Sequence, residues 1–149
     1  MKQNNLFILL ISCYILSSCC DIFGSHNLGS GFILSEGDKI EDRAIIFCNT
    51  NKSCCNGGTY VIPSSGEQYY SYVDYVNHNN DWIFVSTIQI KDHSKKYWII
   101  SKKKIKNIKP TQENIDDIIG KSIMGPMKYE DWQKKIRLMN IKLSDVSDW

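Results

Sequence analysis

The chain has 149 residues, with 18 lysines and arginines against 16 aspartates and glutamates, for a formal net charge of +2. A balance this close to neutral does not indicate nucleic acid as a partner, which a strongly basic domain would. The length corresponds to one domain on the usual scale of about 100–200 residues per domain.

The first eighteen residues have the layout of a secretory signal peptide. Lys2 provides positive charge, and an apolar run follows from Leu6 to Leu16. This run is shorter than the roughly 20 apolar residues that a membrane-spanning helix needs. A basic start, a short apolar middle and a small-residue end are typical of an export signal. We therefore predict that residues 1–18 are a signal peptide, and the motif at their end predicts that it is a lipoprotein signal peptide.

The leader ends in Leu16-Ser17-Ser18-Cys19, which resembles the bacterial lipobox. In a lipobox, an aliphatic residue and two small residues precede a cysteine that is diacylglycerylated and becomes the mature N-terminus. Cys19 matches because Leu16 takes the aliphatic position, whereas lipidation of Cys20 would put Ser17 there. Stable anchoring takes more than one acyl chain, at about 0.8 kcal/mol per buried methylene. The resemblance implies a membrane lipid partner and a location in the cell envelope, either periplasmic or surface-facing. The alternative is an ordinary secreted protein.

Residues 19–28 are predicted to be a tether between the lipid and the folded domain. Their sequence from residue 21, "DIFGSHNL", contains turn-forming residues and shows no hydrophobic period. A single α+β domain is then expected over residues 29–149.

Strand patterns fill the first half of this domain. The predicted strands are residues 31–36, 43–49, 59–62, 69–77, 81–90 and 96–104. Residues 69–77 and 81–90 are rich in aromatic and β-branched residues and are joined by His78-Asn79-Asn80, so they are predicted to form an antiparallel hairpin. Alternation in the second arm puts Trp82, Phe84 and Ile88 on one face, and we expect that face, rather than the one with Ile83 and Val85, to be the core.

Two helices are predicted after the strands. The first begins after Thr111, whose hydroxyl can cap it, and ends at Gly120. The second runs from about Lys128 to Asn140, where four residues at helical spacing form an apolar stripe: Tyr129, Trp132, Ile136 and Met139. The predicted fold is therefore α+β, an antiparallel meander sheet of five or six strands packed by one or two C-terminal helices.

Cysteines provide a possible crosslink. Cys48 and either Cys54 or Cys55 flank a short polar loop in a chain that is predicted to be exported, where disulfides persist. A bridge there would stabilise the fold by at most about 2–3 kcal/mol on the chain-entropy model. The alternative is a metal site, but the C-x5-C-C spacing differs from the paired C-x2-C units of structural zinc. We expect no metal and no cofactor.

Lysines are concentrated in one stretch of the sequence. They are Lys95, Lys96, Lys102, Lys103, Lys104, Lys106 and Lys109. We expect them to be solvated and to protect a strand edge from pairing with another chain. The alternative is a basic face that meets anionic lipid or an acidic partner.

Several segments resemble a family of small bacterial lipoproteins, commonest in Bacteroidetes, that carry an uncharacterised domain. They are "YVIPSS" (60–65), "DWIFVST" (81–87), "YWIIS" (97–101) and "GPMKYEDWQKKIRLMNI" (125–141). The resemblance implies a strand-rich body with a closing helix that begins at a Gly-Pro-x-x-Tyr-Glu motif. It implies no activity and no catalytic residue.

The sequence contains no recognisable catalytic pattern such as a P-loop, a dinucleotide fingerprint or G-x-S-x-G. His26 lies in the predicted tether, and His78 and His93 lie in predicted turns, so we expect all three to be solvent-exposed. We therefore predict a non-enzymatic, membrane-anchored binding or structural module. The tyrosine-rich run 69–75 is a candidate stacking surface for a sugar or a partner, although cross-strand packing explains it as well.

Two alternative functions remain. One is an inhibitor or immunity protein that binds an unidentified envelope protein. The other is a small envelope redox protein that uses Cys54 and Cys55, although Lys52 alone offers little stabilisation of a thiolate there.

Overall fold

Nine strands form two antiparallel sheets in the computed structural model, which describes residues 24–48, 58–106, 114–141 and 147–148. The strands are β1 (Ser25–Gly29), β2 (Phe32–Ser35), β3 (Ala44–Phe47), β4 (Thr59–Ile62), β5 (Ser71–His78), β6 (Trp82–Gln89), β7 (Lys95–Ser101), β8 (Ile123–Met127) and β9 (Ser147–Asp148). The helices are α1 (Lys103–Lys106), α2 (Ile115–Ser122) and α3 (Tyr129–Leu138), and a 3-10 turn spans Ile40–Asp42. The predicted α+β class with an antiparallel meander and a C-terminal helix is confirmed.

The strands divide between a four-stranded sheet and a five-stranded sheet. The first sheet has the order β1-β2-β3-β4, and the second has the order β8-β7-β6-β5-β9. The prediction of a single meander sheet was therefore wrong. The reason is that β5, β6 and β7 carry apolar side chains on both faces, so the second sheet needs a cover on each side. The first sheet and α2 cover one face, and α3 covers the other.

The larger core lies between the two sheets and α2. It contains Phe32 and Phe47 of the first sheet, whose rings meet edge to face at 5.1 Å, together with Ile83, Val85 and Ile100 of the second. A smaller cluster of Phe84, Ile99 and Ile136 lies under α3. The expected assignment of the faces of β6 was therefore wrong, because Ile83 and Val85 point into the larger core.

The folded part begins earlier than predicted. Residues 25–28 were assigned to the tether, but β1 begins at Ser25 and pairs with β2 from Ser25 opposite Ser35. Leu28 is fully buried. The sequence does not reveal this strand because its pairing depends on backbone hydrogen bonds, and Leu28 is the single large apolar residue among its side chains.

Both predicted helices are present, but the end of α2 differs from the prediction. α3 begins at Tyr129, after Lys128 as the N-cap, as expected. α2 continues through Gly120 to Ser122, where the Ser122 hydroxyl donates to the Ile119 carbonyl at 2.7 Å, so the predicted stop at Gly120 was wrong. The helix extends past Gly120 because Ile118, Ile119 and Ser122 are buried. Thr111, the predicted cap, lies outside the described residues.

None of the described helices is long and apolar enough to cross a membrane. The signal peptide, the lipidation site Cys19 and the cysteines Cys54 and Cys55 all lie outside the described residues, so their roles stay predictions.

Candidate functional site

A cleft of about 600 Å³ lies between α3 and the outer face of the second sheet. α3 contributes Trp132 and Arg137 to its wall, and the sheet contributes Asp74, Lys95 and Tyr97. The helix lies over this face because Ile136 is buried against Phe84 and Ile99, and that burial fixes which side of α3 faces the sheet. The cleft is thus a gap left at one side of a packed helix–sheet contact.

Three aromatic rings form one wall of the cleft. Tyr129 and Trp132 are three residues apart on α3, a spacing that places them on the same side of a helix, and their rings stack at 5.9 Å with 22° between their planes. Tyr97 of β7 approaches Tyr129 at 5.2 Å and Trp132 at 5.5 Å between ring centroids. The Trp132 indole also meets Phe84 edge to face at 6.1 Å. The rings therefore hold one another in place, and Tyr129 remains 46% exposed.

Asp74 forms the polar side of the cleft, and a β-bulge places it there. Val73 pairs with Thr87 and Tyr75 with Ser86, so Asp74 is the extra residue between two ladder positions. A bulge re-aims the side chain of its extra residue. The Asp74 Oδ2 accepts from Lys95 Nζ at 2.7 Å and from Ser86 Oγ at 3.3 Å.

The charges around Asp74 are held in a network. Its backbone carbonyl accepts from Arg43 Nη1 at 3.1 Å, which connects the bulge to the segment before β3. The hydrogen bond from Lys95 to Asp74 raises the pKa of that lysine, which stays charged. This ion pair is partly exposed, so it contributes little to stability. The pair matters for the chemistry of the cleft. Together with Arg137 of α3, it places charged donors and a carboxylate acceptor beside the aromatic rings.

Cys48 is the one predicted crosslinking residue within the described part of the chain. Its side chain is 6% exposed and is disulfide-bonded. The partner lies outside the described residues, so pairing with Cys54 or Cys55 stays a prediction. Within the described ranges, no group of three or more histidine, cysteine, aspartate or glutamate residues is placed to hold a metal ion.

Two of the three histidines differ from their predicted positions. His26 was assigned to the tether, but it belongs to β1 and lies 3.5 Å from the Glu36 carboxylate. His93 lies in the connection between β6 and β7, as expected. His78, in contrast, ends β5 and is half-buried, with its Nδ1 3.4 Å from Lys102 Nζ. The expectation of three solvent-exposed turn histidines was therefore wrong for His78, because its pairing opposite Ile83 extends the strand through it.

Lys102 also departs from its prediction, since it was expected to be solvated with the other lysines. It is 3% exposed, and its Nζ donates to the Asn79 carbonyl at 2.5 Å. The ammonium group thus closes the end of the β5–β6 hairpin. Burial, and after it the positive charge of Lys102, lowers the pKa of His78.

A pH dependence follows from this pair. The unperturbed pKa of histidine is 6.5, and because the folded protein lowers the pKa of His78, the unfolded chain binds more protons as the pH falls below that value. The stabilisation that His78 provides is complete above about pH 6.5 and is lost as the pH falls through the lowered pKa. We expect His78→Gln to lose less stability than wild type on acidification, as measured by urea unfolding. Parallel loss in the two proteins would contradict this.

The sequence indicated part of this site. Tyr129, Trp132 and Ile136 were predicted to be one stripe, but a stripe alone indicates burial and says nothing of a cleft. Asp74 and Lys95 were not singled out as a pair. Their contact depends on the bulge, for which the alternation of β5 carries no clear signal.

Searches against protein-family models, curated proteins and solved structures give no match to this chain. The resemblance to small bacterial lipoproteins consequently stays a prediction. The functional argument depends on the geometry of the cleft and on the motif at the N-terminus.

Proposed function

We propose that this protein is a non-enzymatic, lipid-anchored binding module of the cell envelope, and that its ligand is held in the cleft between α3 and the second sheet. The observation that supports this proposal is the cluster of Tyr97, Tyr129 and Trp132 beside the Asp74–Lys95 ion pair. Cavities of about 300–1,000 Å³ that combine apolar walls with a few placed polar groups are typical ligand sites.

The chemistry of the cleft walls favours a sugar as the ligand. A pyranose ring has a face of C–H groups, which packs against the negative face of an aromatic ring. Its hydroxyls both donate and accept hydrogen bonds, so they match the Asp74 carboxylate as well as the Lys95 ammonium and the Arg137 guanidinium. A purely apolar ligand would leave these charged groups without a partner from the ligand. A small ion would make no use of the rings.

The N-terminal anchor would hold this site near a membrane. Five residues separate Cys19 from Ser25, where β1 begins. At no more than about 3.5 Å per residue, the first strand can lie at most about 21 Å along the chain from the lipidated sulfur. The tether is thus shorter than the sequence suggested, and a surface-bound or envelope glycan is within the reach of such a domain.

The test is a binding titration on the full-length chain in detergent. Trp132 is part of the cleft wall, so tryptophan fluorescence should change as neutral, acidic and N-acetylated oligosaccharides are added. Calorimetry with the best of these should show that Trp132→Ala binds at least about tenfold more weakly, since loss of one central aromatic contact costs upwards of about 1.4 kcal/mol.

The matched control is Tyr69→Ala. Tyr69 is 75% exposed and is not part of the cleft, so its loss removes an aromatic ring of similar kind from elsewhere on the surface. We expect saccharide affinity to be unchanged in this variant. Equal binding by wild type and Trp132→Ala, or loss of binding in Tyr69→Ala, would reject the cleft as the ligand site.

A further inference from the structure

The charged side chains that line the cleft under α3 do not balance. Of the described residues that line it, Lys95 and Arg137 are cations and Asp74 is the one carboxylate. The cleft therefore has an excess of one positive charge beside its three aromatic rings. An excess of positive charge in a concave site favours an anionic ligand over a neutral or cationic one.

The charge of Asp74 is compensated within the protein. Its Oδ2 lies 2.7 Å from Lys95 Nζ and also accepts from the Ser86 hydroxyl at 3.3 Å. The carboxylate is therefore already paired, and an anionic ligand meets less repulsion from it than an unpaired carboxylate would cause. Both contacts use Oδ2, so Oδ1 remains available to accept a hydrogen bond from a ligand hydroxyl.

Arg137 provides the positive charge that remains. Among the described residues, its guanidinium has no ion-pair partner. An arginine side chain presents its N–H donors in a planar fork, which matches the two oxygens of a carboxylate. The guanidinium of Arg137 is therefore suited to bind a carboxylate group of a ligand in the cleft.

Arg137 is close to the aromatic wall along the axis of α3. It lies five residues after Trp132, which is about 7.5 Å along a helix that rises about 1.5 Å per residue. Helical side chains lean towards the N-terminus of the helix, so the long arginine side chain covers the turn that precedes it. That turn contains Gln133, whose amide donates to the Tyr129 hydroxyl at 2.7 Å. One ligand can therefore meet the rings and the guanidinium together.

Given the saccharide site proposed above, on which this inference rests, we propose that the cleft selects an acidic oligosaccharide whose sugars carry carboxylates, as hexuronic acids do. Arg137 binds the carboxylate, the rings of Tyr129 and Trp132 pack against the sugar faces, and Asp74 Oδ1 accepts from a sugar hydroxyl. A neutral sugar leaves Arg137 without a partner from the ligand.

The test is calorimetry on the full-length chain in detergent with a matched pair of ligands. One is an oligogalacturonate of fixed length, and the other is its methyl ester, which keeps the sugar rings and removes the negative charges. We expect wild type to bind the oligogalacturonate about tenfold more tightly, the effect of one good hydrogen-bonded contact between charged groups. Added salt should reduce this preference, because Arg137 is exposed and its charge is screened.

Two variants assign the preference to Arg137. Arg137→Met keeps an apolar stem and removes the guanidinium, so it should bind the oligogalacturonate and its methyl ester alike. Lys135→Met is the matched control, because it also removes one positive charge from α3. Lys135 is exposed and does not line the cleft, and residues two apart do not share a face of a helix. This variant should keep the tenfold preference of wild type.

The outcomes separate this inference from the saccharide site itself. Equal affinity of wild type for the two ligands, with both weakened by Trp132→Ala, would reject the acidic ligand and retain the site. If Trp132→Ala weakens neither ligand, the site is rejected and the inference with it. Loss of the preference in Lys135→Met would show a response to the net charge of the chain. Tighter binding of a carrageenan oligosaccharide, which carries sulfate esters, would overturn the assignment to carboxylates.

Discussion

A chain with Cys19→Ala is expected to lose its fatty acid and to leave the membrane fraction. If Cys19 carries the lipid, labelled palmitate should be incorporated into wild type and not into this variant. The effect should be close to complete, since no described helix can cross a membrane and acyl chains contribute about 0.8 kcal/mol per buried methylene. Detergent phase partition should then find the wild-type protein in the detergent phase and the variant in the aqueous phase.

The control for this experiment is the neighbouring cysteine. Cys20→Ala keeps Leu16 in the aliphatic position of the predicted lipobox, so this variant should be lipidated and remain in the detergent phase. Mass analysis of the processed wild-type protein should place a diacylglyceryl group on Cys19 as the first residue. An unmodified Cys19, or a chain that still begins at Met1, would remove the anchor from the proposed function.

Among variants that also disturb the cleft, Phe84→Ala is expected to lower the free energy of unfolding most. Phe84 is 2% exposed, packs with Ile99 and Ile136, and meets the Trp132 ring. Truncation of a buried phenylalanine to alanine costs about 3–5 kcal/mol, because the transfer free energy is lost and a cavity remains. Since α3 is held through this cluster, the ring wall of the cleft should lose its position. Urea unfolding gives the free energy, and saccharide calorimetry reports the cleft.

A matched variant separates global stability from the cleft. Phe32→Ala removes an equally buried ring from the larger core between the sheets and should cost about the same free energy. Where the variants remain folded, Phe32→Ala should keep the wild-type saccharide affinity and Phe84→Ala should lose it. The milder Phe84→Leu and Phe32→Leu pair gives the same comparison if the alanine variants unfold. Equal saccharide affinity in the two members of a pair would mean that the cleft does not depend on the cluster under α3.

Several strands of both sheets could be predicted because they depend on local chemistry. The hairpin of β5 and β6 follows from β-branched and aromatic runs with a short polar connection. β4 occupies residues 59–62 as predicted, between a pair of glycines and Pro63. β1 and β8 were missed because each pairs through its backbone while carrying a small or irregular set of side chains, including Gly125 and Pro126 in β8.

The candidate site was predicted less completely than the strands. Helical spacing identified Tyr129 and Trp132 as neighbours, because a helix brings residues three apart together whatever surrounds them. It did not identify Tyr97 as the third ring, since that contact joins β7 to a helix thirty-two residues later in the chain. The burial of Lys102 was also missed, because it depends on the hairpin carbonyl of Asn79, which no pattern around the lysine reveals.

The sequence by itself indicated the antiparallel strands and the final amphipathic helix, and it predicts the export signal with its lipobox-like end, because each depends on residues that are adjacent or a few positions apart. The tertiary structure decided that the strands form two sheets, that both faces of β6 are buried, and that Asp74, Tyr97 and Trp132 meet in one cleft. These features depend on which apolar surfaces find a cover and on how a bulge turns one side chain. The free energy of the whole packed chain determines these features, and no local stretch of residues specifies them alone.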